Sequence, residues 1–248
     1  RRVHIPKDKG KTRPIGISTV EDKIVQGALR EILEAVFEPS FLDCSHGFRP
    51  RRSAHDAIRV LNRITYQGDV NWILEADIVS FFDSIDRKML VEMLRKRVLD
   101  GSVIRLVGKC LNVGVLDGEE FSQPDEGTAQ GSVISPLFGN IYLHNVLDLW
   151  FETEVKPLLQ GKAHLIRYAD DFVIGFERQD DAERVQEVLH RRMARFGLTL
   201  HPDKTHVGDC RVEGQGFEFL GYRFEAGQRW VRKKSLMSLR DKVRAKTK

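Results

Sequence analysis

Two adjacent aspartates, Asp170 and Asp171, interrupt the apolar stretch "IRYADDFVIGF" at residues 166–176. The flanking residues are β-branched or aromatic, which is typical of strands. The sequence therefore predicts two strands joined by a tight turn at Ala169, Asp170 and Asp171. The carboxylates would lie at the tip of this hairpin.

Adjacent carboxylates repel each other unless a cation or a hydrogen-bond donor compensates, so this pair indicates a bound metal. Aspartate is also common in ordinary solvated turns, and the stretch alone leaves both interpretations open. A further carboxylate, Asp77, follows the apolar strand "WILEA" at residues 72–76. If that strand lies beside the hairpin, three carboxylates converge. Hard divalent ions such as Mg²⁺ bind carboxylate oxygens together with substrate phosphates.

Composition narrows the class of protein. The chain has 248 residues, of which 41% are hydrophobic, enough for a substantial core in one large or two small domains. The net charge is +4, and basic residues crowd residues 1–13 and 229–248. These ends are candidate phosphate-backbone contacts or simply solvated faces. The three cysteines are far apart, so neither a disulfide framework nor a zinc site is indicated, and no apolar run is long enough to cross a bilayer.

Apolar periodicity predicts the order of the secondary structure. Helices are predicted over 20–37, 53–66, 87–99, 132–151 and 181–197, followed at the C-terminus by a basic, helix-like segment. Strands or hairpins are predicted over 1–18, 72–78, 113–127, 166–176, 198–200, 205–210 and 217–224. Too few parallel crossover units are present for a doubly wound sheet, so the expected class is α+β. Glu75, Asp83 and Asp86 are interpreted as structural.

The blocks "DIVSFF", "GTAQGSVISPLFGNIYL" and "YADD" resemble motifs A, B and C of reverse transcriptases. The chain resembles in particular the bacterial group II intron-encoded enzymes, which show blocks similar to "KTRPIGISTVEDKIVQ" and "SHGFRPRRSAHDA". The resemblance covers nearly the whole chain in unbroken order. It implies an RNA-directed DNA polymerase with right-hand fingers and palm, in which an RRM-like antiparallel palm sheet packs against helices.

The resemblance implies a catalytic and metal-binding set. Asp77 and Asp170 match the metal-binding aspartates of motifs A and C, and Asp171 matches a second, less directly coordinating one. The carbonyl of Ile78 would complete a metal shell. Lys204 in "HPDKT" resembles the motif D lysine that protonates the pyrophosphate leaving group, with a solvated loop lysine as the alternative. The implied cofactor is a pair of Mg²⁺ ions, for which Mn²⁺ can substitute.

The resemblance also implies residues that bind the incoming nucleotide. Lys7 and Arg13 match finger residues that grip the triphosphate, and Lys9 and Lys11 offer the same chemistry. Phe82 matches an aromatic gate whose ring would collide with a ribose 2′-hydroxyl.

Motif B contributes further substrate contacts. Gln130 matches the glutamine near the nascent base pair, and Gly131 would let main chain approach the substrate closely. The block departs from the family pattern at Ala129, where proline is usual, and at Ser132, where glycine is common. These departures bear on the rigidity of the loop.

Nucleic-acid contacts are expected at Arg49 in "GFRP" and at the basic ends. "FLGYRF" resembles the primer-grip hairpin, in which Phe219, Leu220 and Gly221 would fix the primer end, with an ordinary core hairpin as the alternative. The expected partners are an RNA template with a DNA or RNA primer, dNTPs and group II intron RNA. Template recognition would rest on shape, phosphate and 2′-hydroxyl groups. Homo-oligomerisation stays open, and no membrane partner is expected.

The expected organisation is fingers at 1–71 with part of 85–130, a palm at 72–224, and a basic segment at 225–248 that leads to an absent thumb. We expect a fragment of a longer, cytoplasmic bacterial protein. Two other functions stay open: an RNA-directed RNA polymerase, and an intron-RNA-binding splicing factor whose polymerase site is idle. A CRISPR-associated or domesticated role is equally compatible with the fold.

Overall fold

The computed structural model of the chain describes residues 2–6, 12–117, 120–122, 127–128 and 131–247. The helices are α1 (Val20–Phe37), α2 (Ala54–Tyr66), α3 (Arg87–Arg95), α4 (Gly101–Leu111), α5 (Ser135–Leu143), α6 (Gln179–Arg195) and α7 (Lys233–Thr247). The strands are β1 (Arg2–Pro6), β2 (Thr12–Gly16), β3 (Trp72–Ala76), β4 (Val115–Asp117), β5 (Glu120–Ser122), β6 (Ala163–Tyr168), β7 (Asp171–Phe176), β8 (His206–Asp209), β9 (Phe217–Phe219), β10 (Tyr222–Glu225) and β11 (Gln228–Val231). These strands pair antiparallel, and the predicted α+β class is confirmed.

Four strands form the central sheet, in the order β6-β7-β3-β8. β3 is an inner strand, with Ala76 opposite Phe172 of β7 and Glu75 opposite His206 of β8. β6 and β7 form the predicted hairpin, which closes with Tyr168 opposite Asp171. The sheet therefore brings chain segments that are about a hundred residues apart in the sequence into direct contact.

Both faces of the central sheet are covered. On one face, Leu74 and Ala76 of β3 belong to the larger core, to which α1, α3, α4, α5 and α6 contribute. On the other face, Ile73 packs in a second core with residues of α2, β9 and β10. This alternation along β3 follows the two-residue period of a strand. By the same period, Glu75 and Asp77 project on the side of the second core.

Polar residues in the sequence determine where several helices begin. Thr19 before α1 and Asp86 before α3 each accept a hydrogen bond from the main-chain N–H three residues later. Ser53 and Asp56 form a reciprocal capping box at the start of α2. For this reason the helix starts predicted at 20, 53 and 87 are confirmed to within one residue.

Two predicted helices differ from those observed. α3 ends at Arg95 rather than near residue 99, because Asp100 caps the start of α4 a few residues later. The helix predicted over 132–151 begins at Ser135, with Pro136 in its first turn. After Leu143 it continues through wider π-helical turns at 144–148 and 151–155.

The part of the chain that the structure describes contains no helix with the length and apolar composition needed to span a membrane.

The shorter strands agree with the prediction in most places. The hairpins β1–β2, β4–β5 and β9–β10 are confirmed. The strand predicted over 198–200 is reduced to a single bridge between Leu200 and Ile78. β11 is an addition that the sequence did not predict, and it pairs with β10. The basic C-terminal segment forms α7, none of whose residues is buried.

Candidate active site

The pairing of β3 with β7 brings the aspartate-bearing segments together. The pairing ends one position short of Asp77 and Asp171, which therefore lie side by side across the two strands. Asp170 precedes Asp171 in the turn between β6 and β7. Asp77 and Asp171 both act electrostatically on Glu75. The predicted catalytic aspartates thus share one region at the end of the central sheet.

The main chain after Asp77 is held by a neighbouring segment. The N–H of Val79 donates to the carbonyl of Thr199 at 2.8 Å, and the N–H of His201 donates to the carbonyl of Asp77 at 2.7 Å. In this form of antiparallel pairing, the N–H and C=O of the intervening residue, Ile78, point away from the paired segment. The Ile78 carbonyl therefore faces the side on which the aspartate-bearing hairpin lies.

The turn that carries Asp170 has an unusual backbone. Ala169 has a φ of 57°, in the left-handed region that residues other than glycine seldom adopt. Gly47 packs directly against this turn, since a β-carbon at position 47 would lie 2.3 Å from the main-chain nitrogen of Ala169. Glycine is required there by the close approach of the two main chains.

Lys204 reaches the same region from a different part of the chain. It ends the single helical turn Pro202–Lys204, and its ammonium group forms an ion pair with the carboxylate of Asp77. The Lys204 side chain is 58% exposed, so a substrate could reach it. The structure therefore places the Lys204 side chain beside one of the expected metal-binding aspartates.

Glu75, which the sequence analysis interprets as structural, lies close enough to Asp77 and Asp171 to interact with both electrostatically. The pKa of its carboxyl is raised to about 7, chiefly by burial. A hydrogen bond from the Glu218 main chain lowers this pKa, and the charges of Glu218, Asp77 and Asp171 raise it. The signal that could have identified Glu75 is the two-residue spacing from Asp77, which puts both on one face of the strand.

Phe81 and Phe82 follow the first aspartate and differ in burial. Phe81 is 3% exposed and belongs to the larger core, whereas Phe82 is only partly buried and packs against that core. Their rings meet edge to face, with centroids 5.1 Å apart. The carbonyl of Phe82 accepts a hydrogen bond from the N–H of Thr128 at 2.7 Å, which ties the segment to the start of motif B. Phe82, rather than Phe81, is the ring that a substrate could contact.

The motif B loop lies against the N-terminal hairpin. Gly131 has a φ of 100°, and a β-carbon there would lie 2.6 Å from the carbonyl oxygen of Gly16 in β2. This close approach explains the need for glycine at position 131. Ala129 and Gln130 lie outside the described residues.

Helix α1 also forms hydrogen bonds with this loop. The buried side chain of Gln26 accepts two hydrogen bonds through Oε1, from the hydroxyl of Ser132 at 3.0 Å and from the N–H of Val133 at 3.1 Å. Ser132 is one of the departures from the family pattern. Its hydroxyl gives the loop a link to α1 that glycine at this position could not provide.

The residues expected to bind the triphosphate lie mostly outside the described part of the chain. Lys7, Lys9 and Lys11 lie outside the described residues. The main chain of Arg13 pairs with Ile5 in the β1–β2 hairpin, and its side chain is also outside the described part.

Arg49 is a correction to the sequence-based prediction of a template contact. It is 7% exposed, and its guanidinium forms an ion pair with Glu38 at 2.9 Å. It also donates to the carbonyls of Leu42 at 2.7 Å and Ser45 at 2.8 Å. Because these donors are used inside the protein, Arg49 stabilises the surrounding loop and does not face a template.

The hairpin that resembles a primer grip adjoins the acidic region. Phe219 is buried in the second core, and the turn after it has positive φ at Leu220 (47°) and Gly221 (84°). Its strand β9 carries Glu218, whose main chain donates a hydrogen bond to Glu75. The hairpin thus packs in the second core and also lies next to Glu75, on the strand that leads to Asp77.

Comparison with known proteins identifies the family. The sequence profile of the family described as reverse transcriptase (RNA-dependent DNA polymerase) matches residues 5–224. The chain belongs to this family. The matched residues include the three aspartates that the sheet brings together.

The chain is also similar to two named proteins. It is 37% identical over 259 residues to Protein YkfC of Escherichia coli (strain K12), an alignment that covers 90% of this chain and 66% of YkfC. It is 42% identical over 157 residues to the group II intron-encoded protein LtrA of Lactococcus lactis subsp. cremoris, covering 63% of this chain and 26% of LtrA. The chain thus spans less than two thirds of either relative.

A solved structure shows the same fold. The apo telomerase from Candida tropicalis, truncated from its C-terminal domain, superposes with a TM-score of 0.67 at 15% sequence identity. The match covers 93% of this chain and 54% of the telomerase chain. This likeness confirms the predicted polymerase fold and, at such low identity, concerns the fold alone.

The link between α1 and the motif B loop can be tested by a double-mutant cycle. Gln26→Ala leaves the buried donors of Ser132 and Val133 without their acceptor, so we expect it to lower the free energy of unfolding by about 1–3 kcal/mol. Ser132→Ala removes one donor and should lower it less. In urea denaturation of the full-length protein, the two changes should be non-additive, because they remove the same hydrogen bond. Strictly additive effects would contradict the link.

Proposed function

We propose that this chain carries the catalytic centre of an RNA-directed DNA polymerase, which adds dNTPs to a primer on an RNA template. The observation that supports this most strongly is the placement of Asp77, Asp170 and Asp171 together at the end of the central sheet, in a chain of the reverse transcriptase family. Lys204 beside Asp77 and the partly buried ring of Phe82 agree with the same function.

The donor groups at the site fit a hard divalent cation. Among the described residues, no three His, Cys, Asp or Glu side chains form a ready-made metal cluster. The proposed shell differs from such a cluster, since it uses the carboxylates of Asp77 and Asp170 with the main-chain carbonyl of Ile78. Asp171 would contribute less directly. All of these donors are oxygens, which suit Mg²⁺, with Mn²⁺ as a substitute.

The reaction is a nucleotidyl transfer. The 3′-hydroxyl oxygen of the primer forms a bond to the α-phosphorus of the dNTP, the bond from that phosphorus to the pyrophosphate oxygen breaks, and the hydroxyl proton passes to solvent. Two bound Mg²⁺ ions would supply charge stabilisation at the attacking and leaving oxygens. Asp77, directly after β3, and Asp170, in the turn before β7, would hold these ions in fixed positions, because both are anchored to the central sheet.

Other residues of the chain act on the nucleotide. The ammonium group of Lys204 can donate a proton to the departing pyrophosphate, as its position beside Asp77 allows. Phe82 would lie beneath the sugar. Lys7 and Arg13 would bind the triphosphate from the N-terminal hairpin, and Gln130 with Gly131 would line the nascent pair.

The wider biological setting is also a proposal. We assign fingers to residues 1–71 with part of 85–130, palm to 72–224, and a basic segment to 225–248. Phe219, Leu220 and Gly221 would contact the primer end. The similarity to LtrA supports group II intron RNA as a partner, alongside an RNA template with a DNA or RNA primer. The three cysteines within the described residues are free thiols, which is consistent with a protein that functions in the reducing cytoplasm of a bacterium.

The metal-binding assignment predicts the effect of removing single carboxylates. Asp77→Asn and Asp170→Asn should each abolish primer extension by the full-length protein, because a neutral amide is a poor ligand for Mg²⁺. Asp171→Asn should reduce it. Binding of the primer–template, measured by fluorescence anisotropy, should change little. Asp83→Asn, which neutralises an exposed carboxylate nearby, is the matched control and should keep activity. Full extension by either the Asp77 or the Asp170 variant would refute the assignment.

The position of Phe82 predicts sugar selectivity and separates a reverse transcriptase from an RNA-directed RNA polymerase. Phe82→Val replaces the ring with a smaller side chain and leaves the carboxylates unchanged, so a ribose 2′-hydroxyl should fit. The ratio of kcat/KM for dNTP over rNTP on an RNA template should fall by about tenfold or more, equivalent to about 1.4 kcal/mol. An unchanged ratio would make Phe82 a packing residue. A wild-type preference for rNTP would favour the RNA polymerase.

A further inference from the structure

Arg167, the third residue before Asp170, is completely buried beneath the aspartate-bearing turn. One of its terminal nitrogens, Nη1, donates to the carbonyl of Ala169 in the turn at 2.9 Å. The same nitrogen donates to Oδ1 of Asn140, a buried residue of α5, at 3.0 Å. A charged side chain therefore contacts the main chain of the residue with positive φ, directly before Asp170.

The remaining donors of Arg167 are also used. Nε and Nη2 form a two-pronged ion pair with the buried carboxylate of Asp148, at 2.7 and 2.6 Å. Nη2 also donates to the hydroxyl of Ser45 at 2.8 Å. A guanidinium has five N–H donors, and each has an acceptor here. A lysine could not reproduce this arrangement, because its donors radiate from a single nitrogen.

The loop around Gly47 pairs with the end of β6 that leads into the turn. The N–H of Arg167 donates to the carbonyl of Cys44, and the N–H of His46 donates to the carbonyl of Arg167, both at 2.8 Å. Asn140 donates through Nδ2 to the carbonyl of Gly47 at 2.7 Å. Asn140 thus connects the guanidinium to the glycine that touches the turn.

The charges in this network are balanced. Burial alone lowers the pKa of Arg167, but the charge of Asp148 and its hydrogen bonds outweigh burial, and the pKa is raised. The charge of Asp170 contributes in the same direction. The guanidinium is therefore close enough to Asp170 to interact with it electrostatically while it is held by Asp148.

We propose that Arg167 is a positioning residue that, together with Asn140, Asp148 and Ser45, fixes the turn carrying Asp170 in the geometry that binds metal. We call these four residues the buried clamp. The inference rests on the proposed function, because it concerns the same carboxylates. The clamp acts through the main chain of Ala169 and does not touch the substrate. A core built only for stability would not need a buried ion pair, since apolar side chains of similar volume often serve as well.

The test compares Arg167→Lys with wild type in the full-length protein. Folding is checked by circular dichroism and thermal denaturation, binding of Mn²⁺ alone is measured by electron paramagnetic resonance, and kcat and KM for dNTP are measured with saturating metal. Arg192→Lys is the matched control. Arg192 also donates to a main-chain carbonyl, that of Val146, but it stacks on the rings of Trp150 and Phe196, away from the turn.

For folded Arg167→Lys, we expect Mn²⁺ affinity and kcat each to fall by about tenfold or more, since a misplacement of about 1 Å has effects of this order. The KM for dNTP should change little. Arg192→Lys should retain the wild-type Mn²⁺ affinity and kcat. Wild-type affinity and kcat in Arg167→Lys would overturn the proposal, as would an equal loss in both variants.

If Arg167→Lys does not fold, the same measurements are made on Asn140→Asp, and they test the proposal instead. This change keeps the size of the side chain and the acceptor for Arg167, but it replaces the donor to Gly47 with a carboxylate oxygen. We expect a smaller loss of Mn²⁺ affinity and kcat in the same direction, and wild-type values would overturn the proposal. A wild-type protein that neither binds Mn²⁺ nor extends a primer would refute the proposed function itself, which distinguishes the two failures.

Discussion

The antiparallel pairing of β3 with β7 is the constraint on which the site depends. Its register places Asp77 beside Asp171, and the turn before β7 adds Asp170. A shift of one residue would move every side chain of β3 to the opposite face and would send Asp77 toward the larger core. The register is secured because both faces of the strand are occupied by packed residues, Leu74 on one side and Ile73 on the other.

The parts of the fold that follow from local patterns could be predicted from the sequence. Helix starts depend on nearby polar residues such as Ser53, and strands depend on apolar runs, so both are visible without knowledge of the tertiary structure. The convergence of Asp77 with the aspartate-bearing hairpin could also be anticipated, because a carboxylate directly after a buried strand is unusual. The failure at Arg49 has a physical cause: a basic residue has the same appearance in sequence whether it meets a phosphate or a buried carboxylate such as Glu38.

The parts that could not be predicted arise from contacts between distant segments. Gln26 and Ser132 are 106 positions apart, and neither forms a motif with the other. Gly47 is small because another main chain passes beside it, which only the folded structure reveals. The ion pair between Arg167 and Asp148 could not be predicted either, because each buried charge is tolerated only in the presence of the other. The contacts of Gly47 and Arg167 adjoin the turn that carries Asp170, and they hold its main chain in place.

Asp77 and Asp170 are proposed to hold the metal ions of a nucleotidyl-transfer site, and this assignment is open to direct measurement. Its most direct test is anomalous diffraction from Mn²⁺ in crystals of the full-length protein with an RNA template, a DNA primer and a dNTP. If the assignment is right, anomalous peaks lie within about 2–2.5 Å of carboxylate oxygens of both aspartates and of the Ile78 carbonyl. Mn²⁺ bound to the nucleotide without contact to Asp77 and Asp170, or bound only elsewhere on the chain, would contradict it.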